Sequence, residues 1–312
     1  APELFISFFA IFLGGKFSSV GTGTIVGSAI FNILVVIGAS AVSHKARLHW
    51  QPVVRDTLFY ASSIALLIMA FQDGVVTVWE ALIFVGLFAV YIMVISQWKK
   101  RFGWLERRSK QELTEGIESL EKSTKDKKHN LNLKVLAFTR EMLEVLIPNP
   151  RKHKDSLYAT FSISIIYIGV LSFLMVEAAT ALATGIGIPP AIIALTVVAA
   201  GTSIPDLLSS ISASRRGRGD MAISNAIGSN IFNILIGLGL PWLLVLGFTG
   251  QSLQVSTENL LASAFLLFAT VIAVFSILGM RRWSIGPRVG WLLLTMYCTY
   301  LGFTVGQVVG AW

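Results

Sequence analysis

Two acidic residues in this chain stand where acids are costly. Glu3 and Asp206 each follow a proline within an apolar stretch, as Pro2-Glu3-Leu4 and Pro205-Asp206-Leu207. A carboxylate buried at mid-membrane costs about 2.5–3.5 kcal/mol on insertion scales, so an acid kept there points to function. Proline removes a backbone donor and crowds the preceding turn, leaving nearby carbonyl oxygens without helical partners. In lipid those oxygens need another partner, and a bound cation serves. Thr202, Ser203, Ser209 and Ser210 flank Asp206, the last two one turn further along the same side. A second set of oxygens comes from Gly27-Ser28-Ala29-Ile30-Phe31-Asn32-Ile33-Leu34 and Gly228-Ser229-Asn230-Ile231-Phe232-Asn233-Ile234-Leu235, identical at seven of eight positions. Serine precedes asparagine by four residues in both, which places the two side chains on one helix face.

The expected ligand set is therefore Glu3, Asp206, Asn32, Asn233, Ser28, Ser229, Thr202, Ser203 and Ser210, with no His or Cys. Hard cations that take six or more oxygens suit it, Ca²⁺ above all and Na⁺ as well, whereas Zn²⁺ and Cu⁺ do not. Two carboxylates balance one Ca²⁺ or an equivalent charge of Na⁺, a basis for exchange at shared oxygens. These ions are cargo. No cofactor is expected beyond transported Ca²⁺ and Na⁺, with K⁺ as a third candidate.

Positioning these residues requires membrane-spanning helices. The 312 residues are 54% hydrophobic and only 13% charged, against about 25% charged in an ordinary soluble domain. The apolar residues come in blocks of roughly 20, the length that crosses a bilayer as a helix. That excludes a soluble enzyme, a disulfide-rich secreted domain and a disordered chain. Hydropathy gives a partial segment at about 4–14, then spans near 22–42, 57–72, 76–97, 157–183, 189–213, 221–247, 259–280 and 287–309. The fold class is all-α, a multi-pass transmembrane helical bundle. Three parts follow: 1–97, a polar loop at 98–156, and 157–312.

Charge supports that topology. The net charge of +8 does not form a nucleic-acid stripe, because 15 of the 25 basic residues fall in 98–156 among nine acids. Loops 43–56, 98–156, 214–220 and 281–288 together hold 24 of the 25 basic residues, and the alternate loops hold only Lys16. By the positive-inside rule the first set is cytosolic. The expected partners are the lipid bilayer and the ions; neither nucleic acid nor a protein partner is indicated. Within the loop, 111–128 reads as a solvated linker and 131–147 as an amphipathic helix. Glu177 is intramembrane but unrepeated and reads as an outer-end or structural residue. Thr22 and Thr24 read as packing, and Asp73 and Glu80 as solvated. Trp50, Trp79, Trp98, Trp242 and Trp312 lie near span ends, as an interfacial belt would. The single cysteine, Cys298, cannot form a disulfide within the chain.

The duplicated Pro-acid-Leu and Gly-Ser elements define an internal repeat. Glu3 to Ser28 is 25 residues and Asp206 to Ser229 is 23, so one small gap aligns the copies. Five crossings separate them, an odd number, so the copies enter the membrane with opposite polarity. Inverted-topology repeats meeting near the midplane are an architecture of secondary transporters.

At these residues the sequence resembles the cation/calcium exchanger superfamily, whose alpha repeats carry Gly-[Ser/Thr]-Ser-x-Pro-[Glu/Asp] and Gly-Ser-Asn-x-x-[Asn/Asp] elements. Gly201-Thr202-Ser203-Ile204-Pro205-Asp206 and Gly228-Ser229-Asn230-Ile231-Phe232-Asn233 match them. Arg218-Gly219-Asp220-Met221-Ala222, Pro241-Trp242-Leu243-Leu244 and Pro52 to Asp56 resemble the potassium-dependent sodium/calcium exchanger branch. The resemblance implies Na⁺-driven Ca²⁺ counter-transport by alternating access, with Glu3 and Asp206 as central ligands, in the plasma membrane or an internal one. It also implies a Gly-Ser-Ser stretch and a full helix before Pro2, which makes this chain an N-terminally truncated product. The branch carries Asp where this chain has Asn233, and the lost charge implies weak or absent K⁺ dependence. A Ca²⁺/H⁺ antiporter is the nearest rival, because buried carboxylates also carry protons. A passive channel and a non-transporting homologue stand further off. No nucleophile with its base, phosphate loop or hydrolytic metal cluster suggests an enzyme.

Overall fold

The computed structural model describes residues 2–14, 17–98, 156–249, 253–254 and 258–309. Lys16, Trp312, the 111–128 linker and the expected helix at 131–147 lie outside the described residues. Contacts divide the chain into a first unit of residues 1–94 and 172–312 and a second of Ile95–Leu171. All the candidate ligands belong to the first.

The chain opens with α1 (Pro2–Leu13), then α2 (Ser18–Phe31), a π-helical turn at Asn32–Val36 and α3 (Ile37–Ser43), the last three forming one crossing. Next come β1 (Ala46–Arg47), α4 (Trp50–Gln72), β2 (Val75–Val76) and α5 (Val78–Trp98). The second half runs through α6 (Ser156–Ile186), α7 (Pro190–Ile193), a π-helical turn at Ala194–Val198, α8 (Ala199–Arg215), α9 (Gly219–Leu235) and α10 (Gly239–Thr249). It ends with β3 (Leu253–Gln254), α11 (Glu258–Met280), β4 (Ser284–Ile285) and α12 (Pro287–Val309). Eight of these runs are long and apolar enough to cross a membrane, with α1 a shorter apolar helix. This is an integral, multi-pass, all-helical bundle, built from two inverted-topology repeats.

Local chemistry sets the helix ends. Thr77 and Glu80 form a capping box before α5: the Thr77 N–H donates to Glu80 Oε2 at 2.7 Å, and the Glu80 N–H reaches Thr77 Oγ1 at 3.4 Å. Gly217, at φ +75°, ends α8 while the Arg218 N–H closes on the Ala213 carbonyl at 3.0 Å. Of the two acids expected to be solvated, Asp73 is exposed and Glu80 half-buried, and both hold turn N–H groups.

Two short antiparallel ribbons tie the loops together. Ala46–Arg47 pairs with Ser284–Ile285, and Val75–Val76 pairs with Leu253–Gln254. The loops of each pair were assigned to one membrane side by the basic-residue count, and hydrogen bonding requires the same. β1 corresponds to β3 in the repeat and β2 to β4, so the inverted symmetry turns one ribbon into the other.

The ligand-bearing helices lie innermost. In the Ser19–Ser43 span 83% of the most apolar stretch is buried, against 17% in Val78–Trp98. A glycine stripe lets them approach. A Cβ at Gly27 would collide with the Leu195 carbonyl oxygen, and one at Gly23 would sit 3.0 Å from that of Ala191. Thr24 Oγ1 turns back to the Val20 carbonyl at 2.7 Å, and Thr22 Oγ1 to that of Ser19 at 3.4 Å, as packing threonines do.

Two expectations need correction. Trp242 is not in an interfacial belt: it lies within α10, fully buried, with the Phe84 ring at 5.2 Å. Trp50 and Trp79 are exposed, as a belt requires. The 43–56 loop also ends earlier than hydropathy indicated, since α4 begins at Trp50 and takes Arg55 and Asp56 into the helix. Their mutual pairing offsets the polarity that hides the helix start from a hydropathy scan. The span expected at 221–247 is present as Gly219–Phe248, with a turn at residues 236–238 between α9 and α10.

Candidate functional site

Asp206 lies one residue past Pro205, inside α8 rather than at its end. Proline cannot donate to the carbonyl four residues back, so the Gly201 oxygen is released from the helical ladder. Glu3 occupies the matching place in the first turn of α1, with 4% of its surface exposed. Asp206 is half-buried. The two carboxylates are close enough for the charge of Asp206 to act on Glu3. A cation beside them would offset that repulsion.

The repeats meet through their polar residues. Ser28 and Ser203 share a hydroxyl–hydroxyl hydrogen bond of 2.7 Å, joining α2 to α8. Asn32 Nδ2 donates to Ser229 Oγ at 3.3 Å and to Asn230 Oδ1 at 2.9 Å. Asn230 Nδ2 donates to the Ala29 carbonyl at 3.1 Å and to the Tyr60 hydroxyl oxygen at 2.9 Å. A backbone carbonyl can only accept, so the nitrogen of Asn230 must face Ala29 and its oxygen must face Asn32. The nitrogen of Asn32 is thereby fixed as well. Its oxygen is left buried and without a hydrogen-bond partner among the described residues. A buried amide oxygen held open in this way carries a desolvation cost that a cation would remove.

Four hydroxyls share that condition among the described residues, those of Ser7, Ser40, Ser210 and Tyr300, and two of them are related by the repeat. Ser7 Oγ and Ser210 Oγ are buried and unpartnered among the described residues. Ser7 is four residues past Glu3 and Ser210 four past Asp206, so they are counterparts in the repeat. A helical serine ordinarily returns its hydroxyl to a carbonyl of the preceding turn; here both are held away from it. Ser210 was an expected ligand. Ser7 and Asn230 were not, and each carried a signal: Ser7 is the repeat mate of Ser210, and Asn230 is the one mismatch in the eight-residue repeat.

The remaining candidates are placed less pointedly. Thr202 Oγ1 bonds the Ala199 carbonyl at 3.2 Å, and Ser229 Oγ the Ala226 carbonyl at 3.2 Å while accepting from Asn32. Asn233 is buried. Ser209 is exposed and bonds back to the Asp206 carbonyl at 3.0 Å, which sets it apart from Ser210. Glu177 is exposed. Among the described residues no three His, Cys, Asp or Glu side chains gather around one point.

Both Gly-Ser elements end in a widened turn. The Ile37 N–H bonds the Asn32 carbonyl, five residues back, and the Gly237 N–H bonds that of Phe232 at 3.0 Å, also five back. Such π-type turns loosen the ladder and are frequent at functional sites. Behind the site, Asp56 accepts from Arg55 Nε and Nη2, both at 2.8 Å, and hydrogen-bonds Tyr91. This buried ion pair went unrecognised in the sequence because Arg55 read as a loop charge.

Comparison with known proteins follows the same lines. The family model described as sodium/calcium exchanger protein matches residues 1–97 and 156–306. Sodium/potassium/calcium exchanger 2 of Homo sapiens is 26% identical over 465 residues, covering 98% of this chain and 70% of that protein. Sodium/potassium/calcium exchanger 3 of Rattus norvegicus is 38% identical over 176 residues, 54% of this chain and 28% of its own. Among solved structures, the H⁺/Ca²⁺ exchanger CAX matches with a TM-score of 0.63 at 17% identity, over 96% of this chain and 70% of that one. The sodium-calcium exchanger NCX_Mj, soaked with Na⁺ and Sr²⁺, gives 0.57 at 21% identity, over 96% and 81%. At those identities the structures speak for the fold.

Proposed function

The chain belongs to the sodium/calcium exchanger protein family, and from that premise we propose that it is a Na⁺-driven Ca²⁺ antiporter working by alternating access. One observation carries the proposal: the buried, unpartnered oxygen of Asn32, locked in orientation by Asn230 where the two repeats meet. Glu3 and Asp206 supply charge to neutralise Ca²⁺. Ser28, Ser203, Ser229, Thr202, Ser210, Asn32 and Asn233 supply neutral oxygens, together with the Gly201 carbonyl. Na⁺ competes for the same oxygens, so the two ions bind in exchange. Ion entry from either side follows from the inverted repeats, whose counterpart helices α1 and α8 run in opposite directions from the carboxylates.

K⁺ is named in the sodium/potassium/calcium exchangers similar to this chain. With an amide at Asn233 the site here holds one negative charge fewer than an aspartate would give, which favours transport with little K⁺ requirement.

The test is Ca²⁺ uptake into proteoliposomes loaded with Na⁺, with and without K⁺. Uptake that requires the Na⁺ gradient supports the proposal; flux that ignores Na⁺ and follows a pH gradient replaces it with Ca²⁺/H⁺ antiport. That second reading is favoured by the buried carboxylate of Glu3 with Asp206 in the matching place of the other repeat, and by the fold shared with CAX.

A further inference from the structure

We propose that Tyr60 of α4, a helix outside the ligand-bearing elements, is a positioning residue of the cation site. Its hydroxyl holds Asn230, and Asn230 holds the oxygen of Asn32 open toward the ion. The proposal rests on the reading of Asn32 as a cation ligand.

The side-chain amide of Asn230 offers one oxygen and two hydrogens, and each is engaged. The oxygen accepts from Asn32 Nδ2 at 2.9 Å, while the nitrogen donates to the Ala29 carbonyl at 3.1 Å and to the Tyr60 hydroxyl oxygen at 2.9 Å. Without the Tyr60 oxygen one buried N–H loses its acceptor, and an unsatisfied buried donor costs more than a made bond gains. The amide relieves that cost by shifting, and Asn32 shifts with it.

Tyr60 is itself held in place. Its side chain is fully buried, and the Ser63 hydroxyl bonds its carbonyl at 2.7 Å. One turn earlier on α4, Asp56 accepts a hydrogen bond from Tyr91. The Tyr91 hydroxyl stands 3.8 Å from where a Cβ on Gly228 would be, and its ring meets Phe59 of α4 at 5.1 Å. Two phenols, one from α4 and one from α5, thus lie along the Gly228-Ser229-Asn230 element of α9.

The repeat sets this hydroxyl apart from ordinary packing. Aligned on the ribbons, with Ala46 on Leu253, α4 matches α11: Asp56, Tyr60 and Ser63 fall on Ser263, Leu267 and Thr270, each buried like its mate. The packing matches too, α4 lying against α9 and α11 against α2. The mate of Asn230 is Ala29. The amide and the hydroxyl that receives it therefore occur together in one half, and the alanine and leucine that replace them occur together in the other. Asn32 receives this support, whereas the positions that would serve its mate Asn233 hold no polar side chain.

Tyr60→Phe keeps the ring and removes only the oxygen, and Leu267 at the mate position shows that the fold admits an apolar side chain there. Equilibrium binding of radioactive Ca²⁺ to the purified chain in detergent, and the Ca²⁺ dependence of uptake in proteoliposomes, would be measured for the parent, Y60F, N230A and Y60F/N230A. The half-saturating Ca²⁺ concentration of Y60F should rise about threefold with the maximal uptake rate unchanged. In the N230A background the same substitution should add nothing, because Tyr60 acts through Asn230. A lowered melting temperature with unchanged Ca²⁺ affinity would overturn the proposal and leave Tyr60 a packing residue. Equal losses in both backgrounds would overturn it as well. Binding is read without any gradient, so a parent that binds Ca²⁺ but does not couple it to Na⁺ leaves this test in force. A parent that binds no Ca²⁺ would remove the site and the proposal together.

Discussion

The side-chain amide of Asn230 donates a 3.1 Å hydrogen bond to the carbonyl of Ala29, the residue at its own position in the other repeat. Counterparts that touch must lie on the symmetry axis relating them. The axis therefore passes between these two residues, and the same amide that marks it sets the orientation of Asn32.

Replacing Asn230 by alanine makes the eight-residue repeats identical and removes three hydrogen bonds. The Asn32 amide would then be free to turn. A lost buried hydrogen bond costs about 1 kcal/mol, so the half-saturating Ca²⁺ concentration for Na⁺-driven uptake should rise roughly five- to tenfold. Unchanged Ca²⁺ affinity would show that Asn32 does not need this support.

Asp206→Asn removes one of two charges at the site while keeping its shape. Ca²⁺ uptake in proteoliposomes should vanish although the protein retains its melting temperature. Residual uptake above a tenth of the parent would argue that Glu3 alone carries the ion.

Asn233→Asp tests the charge argument for K⁺. The variant should show stronger stimulation of uptake by K⁺ than the parent chain, measured at fixed Na⁺ and Ca²⁺. If both respond alike, the side chain at this position does not govern K⁺.

Gly27→Ala would press a methyl into the Leu195 carbonyl and the Ala199 side chain. Backbone cannot yield as a flexible side chain does, so a loss of about 1–3 kcal/mol is expected, read as a lowered melting temperature in detergent. The control is Gly247→Ala, where a Cβ meets nothing within 4 Å.

Asp56→Asn removes the carboxylate that the Arg55 guanidinium, 14% exposed, is paired with. Breaking a buried pair from one side costs about 3–5 kcal/mol, whereas replacing both partners by apolar residues is often far milder. Thermal unfolding of D56N beside a double R55L/D56L variant separates the two, and equal destabilisation would refute the buried-pair account.

The crossings, their alternation and the repeat were legible in the sequence because each rests on a strong local signal: 20-residue apolar blocks, basic loops and a near-identical octet. The proline-acid pairs drew attention to Glu3 and Asp206 for the same reason, as acids in apolar surroundings. Other features depend on what a residue meets in space. Trp242 and Trp79 look alike in sequence, yet one is sealed against Phe84 and the other faces outward. Arg55 reads as a loop charge until α4 is seen to begin five residues earlier. Ser7 and Ser209 are both serines near an acid, and only the packed structure separates an unpartnered buried hydroxyl from an exposed one bonded to its own helix.

The two ribbons bear on how such a chain could be divided. β1 and β2 come from the first half, β3 and β4 from the second, and each ribbon takes one strand from either half. The Ser28–Ser203, Asn32–Ser229 and Asn230–Ala29 bonds cross in the same manner. The arrangement is that of a strand-exchanged dimer written into a single polypeptide. A half expressed alone would leave two strand edges and half an ion site open. Two halves produced as separate chains in one membrane would find each complementary edge on the other.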